Sequence, residues 1–285
     1  MPSTVQCSCC HDKLSIHQSG MSFCWQFAKS SIEHPFEGVD WTPSPITGAF
    51  ALHTTAAAPT GFIASRPGAV MASADRLLIT VTGRGGHASE PFRALDPIPI
   101  ACEIVQALQT MVTRRIDVFD PSVVTVARIS AGTTNNVIPE IAEIEGTIRA
   151  VSERTRMKVH DGIKRVAEGI AAAHEAAVTV EIDYGYPVTV NGDGPAEFAL
   201  GVARELVGAD RAMRLPHPVM GAEDFSYVLQ RVPGAMLFLG GTPPDRNPAT
   251  TPPNHSNRVN FDEDCMVTGM AMHAAMALRH LDNTR

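Results

Sequence analysis

Three histidines stand in settings unlike those of ordinary surface imidazoles. His53 closes the apolar run "AFAL", His87 follows the glycines of "TGRGGH", and His255 lies in "PPNHSNRVNFDED", a loop just ahead of a helix. A neutral imidazole can ligate zinc or carry a proton near neutral pH, so each is a candidate ligand or acid–base group. Taken singly, a histidine is more often a solvated or satisfied side chain than a ligand. The acidic candidates are Glu223 and Asp224 in "MGAEDFS". They fall at the start of a helix expected over 221–232, where the helix dipole alone favours carboxylates. Asn136, in "NNVIPE", could shape a turn or offer its amide to a substrate carbonyl or carboxylate. Arg149 lies on the polar face of a strand and could grip a carboxylate in a bidentate pair, or pair with a neighbouring Glu.

The elements that must position these residues are legible from periodicity. Leu77, Ile79 and Val81 alternate with polar partners from Asp75 onward, which predicts a strand that ends in glycines. Such glycines let the backbone turn sharply or approach a ligand closely. Asp96-Pro97 supplies an N-cap and a proline at the first helical position. The helix it opens runs to about Thr113, with Ala101, Val105, Leu108 and Val112 expected inside. Strands follow at 122–131 and 141–151, and the second of these has Ala142, Ile144, Ile148 and Ala150 on one face. Ser152 caps a second helix with the stripe Val159, Ile163, Val166 and Ile170. A last strand turns Val178, Val180, Ile182 and Tyr184 inward. This β-α-β-β-α-β order over 75–188 is that of a ferredoxin-like sandwich.

The remainder reads as α/β. Helices are expected at 194–208, 221–232 and about 262–281, around a fully apolar strand at 235–241 of the kind buried in a parallel sheet. Residues 1–47 show no sustained period and form an unmatched segment. With 285 residues the chain can bury one large core or two medium ones. A formal charge of −7 argues against a nucleic-acid partner, and no apolar run is long enough for a membrane span. The first residues lack the order of a signal peptide, so a cytoplasmic location is the default expectation. The six cysteines are too unevenly spaced for a disulfide framework; Cys102 and Cys265 are expected to be core packing residues.

In combination the motifs are specific. "PGAVMASADRLLITVTGRGGHAS", "AGTTNNVIPE", "EIEGTIRA", "MGAEDFSYVL" and "NHSNRVNFDED", in that order over roughly 48–282, resemble the M20 family of metallopeptidases and amidohydrolases. The resemblance is nearest to its hippurate hydrolase and N-acyl-amino-acid amidohydrolase branch. It implies a catalytic α/β domain, here partial and formed by 48–74 and 189–285. Inserted in it, over 75–188, would be a ferredoxin-like lid that forms a homodimer. It implies two divalent metals, zinc, cobalt or manganese, with His53 and His255 among the ligands. It makes His87 a lid histidine that reaches the partner subunit's active site and stabilises the tetrahedral intermediate. Asn136 and Arg149 match lid positions that bind substrate, an N-acyl amino acid or related small amide.

The chain departs from the family pattern ahead of His53. The family's Cys-Gly-His-Asp-x-His motif and its Glu-Glu pair have no full counterpart there. Cys9, His11 and Asp12 in "CCHDKL" echo the first motif, but Leu14 replaces its second histidine, and Glu33 and Glu37 form no pair. Two expectations follow: an amidohydrolase impaired by the missing half, or an inactive fragment that serves as a dimerisation or binding module.

Overall fold

The computed structural model describes residues 46–283. The segment 1–45, with Cys9, His11, Asp12, Glu33 and Glu37, lies outside the described residues. The first strand, β1 (Ala49–Pro59), leads through the short β2 (Ile63–Ser65) and β3 (Gly68–Met71) into β4 (Asp75–Thr82). Along β4 the expected alternation holds, with Leu77, Ile79 and Val81 completely buried.

Beyond β4 come the two-residue β5 (Gly86–His87), helix α1 (Pro97–Arg115), β6 (Ser122–Ala131) and β7 (Val137–Ile138). They are followed by β8 (Ile141–Ala150), α2 (Glu153–Ala173) and β9 (Ala177–Tyr184). The four long strands form one antiparallel sheet in the order β6-β8-β4-β9. Both helices cover one face of it in a single apolar cluster. This is the ferredoxin-like arrangement expected from the pattern.

Both helix caps form as the sequence implies. Asp96 accepts from the Ile98 amide at 3.0 Å, and Ser152 accepts from Thr155 at 3.1 Å. The buried stripes match those expected at Ala101, Leu108, Val159 and Ile163 and differ at the other positions. In α1 the inner residues are Ile100, Ile104, Leu108 and Met111, while Val105 and Val112 only flank the cluster. Cys102 is therefore exposed rather than core, because it falls about 200° around the helix from Ile100. In α2 Val159 and Ile163 are buried, and Ala167 and Ala171, rather than Val166 and Ile170, complete the stripe. Tyr184 shares the helix-covered face with Val178, Val180 and Ile182, as expected: its ring meets that of His160 of α2 edge-on at 4.9 Å, although the side chain, at the end of edge strand β9, is 58% exposed.

After β9 the chain forms β10 (Thr189–Asn191), which pairs antiparallel with β3, then α3 (Asp193–Val207), β11 (Ala212–Arg214), α4 (Phe225–Leu229), β12 (Gly234–Thr242) and α5 (Cys265–Asn283). The helix expected over 221–232 is thus five residues long. The second main sheet has the order β1-β12-β2-β11. All nine residues of β12 are buried, as the apolar run requires, but its pairing is mixed, parallel to β1 and antiparallel to β2. Helices α3 and α5 share a core with this sheet through Ala199, Ala203, Met272 and Met276.

Both crossings between the two layers meet at Asp75. Its carboxylate, shut off from solvent, receives Arg156 Nε at 2.9 Å, a second bond from Arg156 Nη2, and Gly185 N at 3.0 Å. His160 Nε2 lies 2.8 Å from the same carboxylate. Burial raises the Asp75 pKa, but the bonds from Arg156 and His160 outweigh it and hold the group at about 2. Arg156 also lies over the Tyr184 ring, 5.2 Å from its centre, so that the ring closes the edge of this buried group.

Candidate functional site

His53 sits in the middle of β1, opposite Phe238 of β12, and not at a strand end. Its ring meets Phe238 edge-on at 5.9 Å. Burial holds the imidazole below its usual pKa, and the charge of His255 depresses it further. The ring is therefore neutral near pH 7, the state a metal ligand needs. Its Nδ1 is buried with no hydrogen-bond partner among the described residues.

Glu223 approaches the same ring, with Oε2 3.6 Å from His53 Nε2, too far for a hydrogen bond. The sequence favoured a helix-start role for this residue. The structure instead starts α4 at Phe225 and leaves Glu223 ahead of it, facing His53. Burial, and then the neighbouring Asp224, push the Glu223 carboxyl up to about 7. The segment is brought there by Ala72, whose amide bonds to Val219 O and Gly221 O at 3.0 and 2.9 Å. His255, whose charge is felt by His53, comes from the loop between β12 and α5 and has a left-handed backbone at φ 67°.

His53, Glu223 and His255 are thus donors of the right kinds for a divalent cation. Among the described residues no group of three or more His, Cys, Asp or Glu is gathered closely enough to hold one. The donor chemistry fits one side of a metal centre; a closed ligand set is not present in 46–283.

His87 and Asn136 come together elsewhere. His87 pairs with Val137 across β5 and β7, and Ala88 N donates to Asn136 O at 3.1 Å. The glycines before His87 serve close backbone approach within the chain. A Cβ on Gly83 would lie 2.0 Å from Leu95 O, and one on Gly86 would lie 2.8 Å from Ala94 Cβ. Ser89 N donates to His87 Nδ1 at 3.1 Å, which leaves the proton of the neutral ring on Nε2. That N–H is exposed and has no partner among the described residues.

The eight-residue β4 separates this pair from the layer junction, and at ~3.3 Å per residue it spans about 25 Å. Arg149 is at the opposite end. It adjoins Ala150, whose amide and carbonyl bond Ser73 at the junction, at 3.2 and 2.8 Å. Within one chain, then, Glu223 lies beside His53 and His255 acts on the charge of that ring, Arg149 lies at the junction end, and His87 with Asn136 lies at the far tip.

These elements together make an α/β layer that carries an inserted ferredoxin-like unit. The chain belongs to the M20 family. Residues 73–175 match the family's peptidase dimerisation domain. The chain is 35% identical over 231 residues to thermostable carboxypeptidase 2 of Saccharolobus solfataricus, covering 81% of this chain and 57% of that protein. It is 33% identical to N-acetylcysteine deacetylase of Bacillus subtilis, over 84% of this chain and 60% of that one. The crystal structure of Bacillus subtilis YXEP protein, described as a dinuclear metal-binding peptidase of the M20 family, superposes with a TM-score of 0.65 at 28% identity. That superposition covers 83% of this chain and 58% of the other. The chain therefore spans little more than half the length of the relatives it matches. No helix among the described residues is long and apolar enough to cross a membrane.

Proposed function

We propose that this chain contributes to a metal-dependent amidohydrolase that cleaves the amide bond of N-acyl amino acids or related small amides. The observation that supports this reading is a neutral, half-buried His53 with Glu223 3.6 Å away, the charge of the ring being further disfavoured by His255. His53 and His255 would hold a divalent cation such as zinc, cobalt or manganese, with the remaining ligands drawn from outside 46–283. A cation bound there supplies a Lewis acid that polarises the amide carbonyl.

The chain's own residues do the rest. Arg149, free of ion pairs among the described residues and at the junction end, grips the substrate carboxylate. His87 keeps its Nε2–H outward and donates to the oxyanion as it forms, helped by the Asn136 amide. Because β4 holds His87 about 25 Å from the junction, it acts in the site of a second subunit, and a homodimer through the ferredoxin-like unit is the working form. Glu223, held near 7, can keep or release a proton beside His53 at neutral pH.

A second reading rests on the absence of a three-donor cluster among the described residues. On that reading the chain is a catalytically inactive module that dimerises or binds through its inserted unit. Purified protein given Zn²⁺, Co²⁺ or Mn²⁺ and assayed on hippurate and N-acetyl amino acids, with mass by light scattering, separates the two. Turnover that collapses in His87→Ala while the dimer persists supports the enzyme. A metal-free, inactive dimer supports the module.

A further inference from the structure

The loop 243–264 between β12 and α5 carries His255, and one side chain in it is bonded unlike the others. The Asn254 carboxamide accepts from Ala56 N at 2.8 Å and donates to Thr54 O at 2.8 Å. An acceptor and a donor addressed to backbone groups two residues apart is the pattern of a residue in a neighbouring parallel strand. Asn254 thus joins β1 as a one-residue strand made from a side chain. It grips the backbone immediately after His53, and the chain then turns through the left-handed conformation at His255. A non-glycine residue is strained there and persists only where its surroundings enforce it.

The loop's far end is fixed separately, by Asp262 N on Gly241 O at 2.8 Å. Between β12 and Asn254 its bonds are local turns around Asn247. The Asn254 amide is therefore what ties the middle of this long segment to the strand that carries His53.

We propose that Asn254 is a positioning residue: by clamping the loop to Thr54 and Ala56, it sets His255 beside His53 for joint binding of a divalent cation. The inference rests on the metal-binding reading above for the cation, and on geometry alone for the clamp.

The test uses the full chain and Co²⁺, followed by calorimetry and by visible absorption, alongside limited trypsin digestion. Arg246 and Arg258 flank Asn254 in the loop and are exposed, so cleavage there reports its release. Asn254→Ala loses both bonds and is expected to weaken Co²⁺ binding about tenfold and to speed cleavage at both arginines. Asn254→Asp keeps the acceptor for Ala56 N but sets an oxygen against Thr54 O, and should cleave as fast as the alanine variant. His255→Ala should lose Co²⁺ affinity with cleavage unchanged.

Faster cleavage in Asn254→Ala with unaltered Co²⁺ affinity would reduce Asn254 to a loop anchor and overturn its role toward the cation. Wild-type cleavage rates in Asn254→Ala would overturn the clamp. A wild-type chain that binds no Co²⁺ overturns the metal reading and with it the cation part of this proposal, while the trypsin result still decides the clamp.

Discussion

Replacing Asp75 by Asn probes the point where both chain crossings meet. The wild-type carboxylate is shut off from solvent and receives two bonds from Arg156, one from Gly185 N and a contact from His160. Removing one partner of a buried ion pair costs about 3–5 kcal/mol, because the other charge is left uncompensated. Here Asn keeps one acceptor oxygen, and Glu153 remains 3.1 Å from Arg156, so the loss should lie near the lower end, about 3 kcal/mol. The pH dependence gives an independent figure. A folded pKa of about 2 against 3.8 unfolded, at 1.36 kcal/mol per unit, is worth roughly 2.5 kcal/mol. Since the folded value is the lower one, this stability is complete above about pH 4 and is lost as the pH falls through about 2. Urea unfolding of both proteins by circular dichroism, at neutral pH and in steps down to about pH 2.5, reads both quantities. A variant as stable as wild type at neutral pH would refute the reasoning. So would a deficit that stays constant through the acid range.

Three other outcomes are expected. Glu223→Gln should flatten the pH profile between about 4.5 and 7: a folded pKa above the unfolded one means wild-type stability falls as pH rises through that window, and the variant has no such group. The same urea series at several pH values checks it. Ser152→Ala removes the α2 cap and the bond from Ser152 Oγ to Asp120, and should cost about 1 kcal/mol in urea unfolding. Gly146→Ala would place a Cβ 2.3 Å from Thr125 O, at the register shift between β6 and β8. It should destabilise by about 1–3 kcal/mol and loosen β6 first, seen as faster amide exchange along that strand.

The inserted unit is readable because each of its long elements obeys one period and both of its helices carry their own caps. The errors came from residues of similar apolarity at neighbouring positions. Val105 and Ile104 both suit a helix core, and only packing against the sheet selects the second. The candidate site was less legible. The spacing of His53 and His255 along the chain says nothing of their approach, which depends on β12 carrying the loop back beside β1. Glu223 was masked by a plausible helix-start role, and nothing in the sequence ends that helix at five residues. Asn254 gave no signal beyond its place in a Pro- and Asn-rich loop, because its function lies in backbone groups far away along the chain.

The adjacency of the inserted unit's two ends also bears on the order of folding. Asp75 and Tyr184 are paired neighbours on β4 and β9. The bond from Thr242 to Ala56 closes a loop of 186 residues, and loop closure of that length is slow as well as entropically costly. More than half of the span belongs to the inserted unit, whose own sheet joins strands closer in sequence. Once that unit condenses, its ends emerge side by side and it no longer lengthens the connection. The sheet around β12 then closes a shorter effective loop, and prior folding of the inserted unit would lower the entropic cost of forming the layer that holds His53.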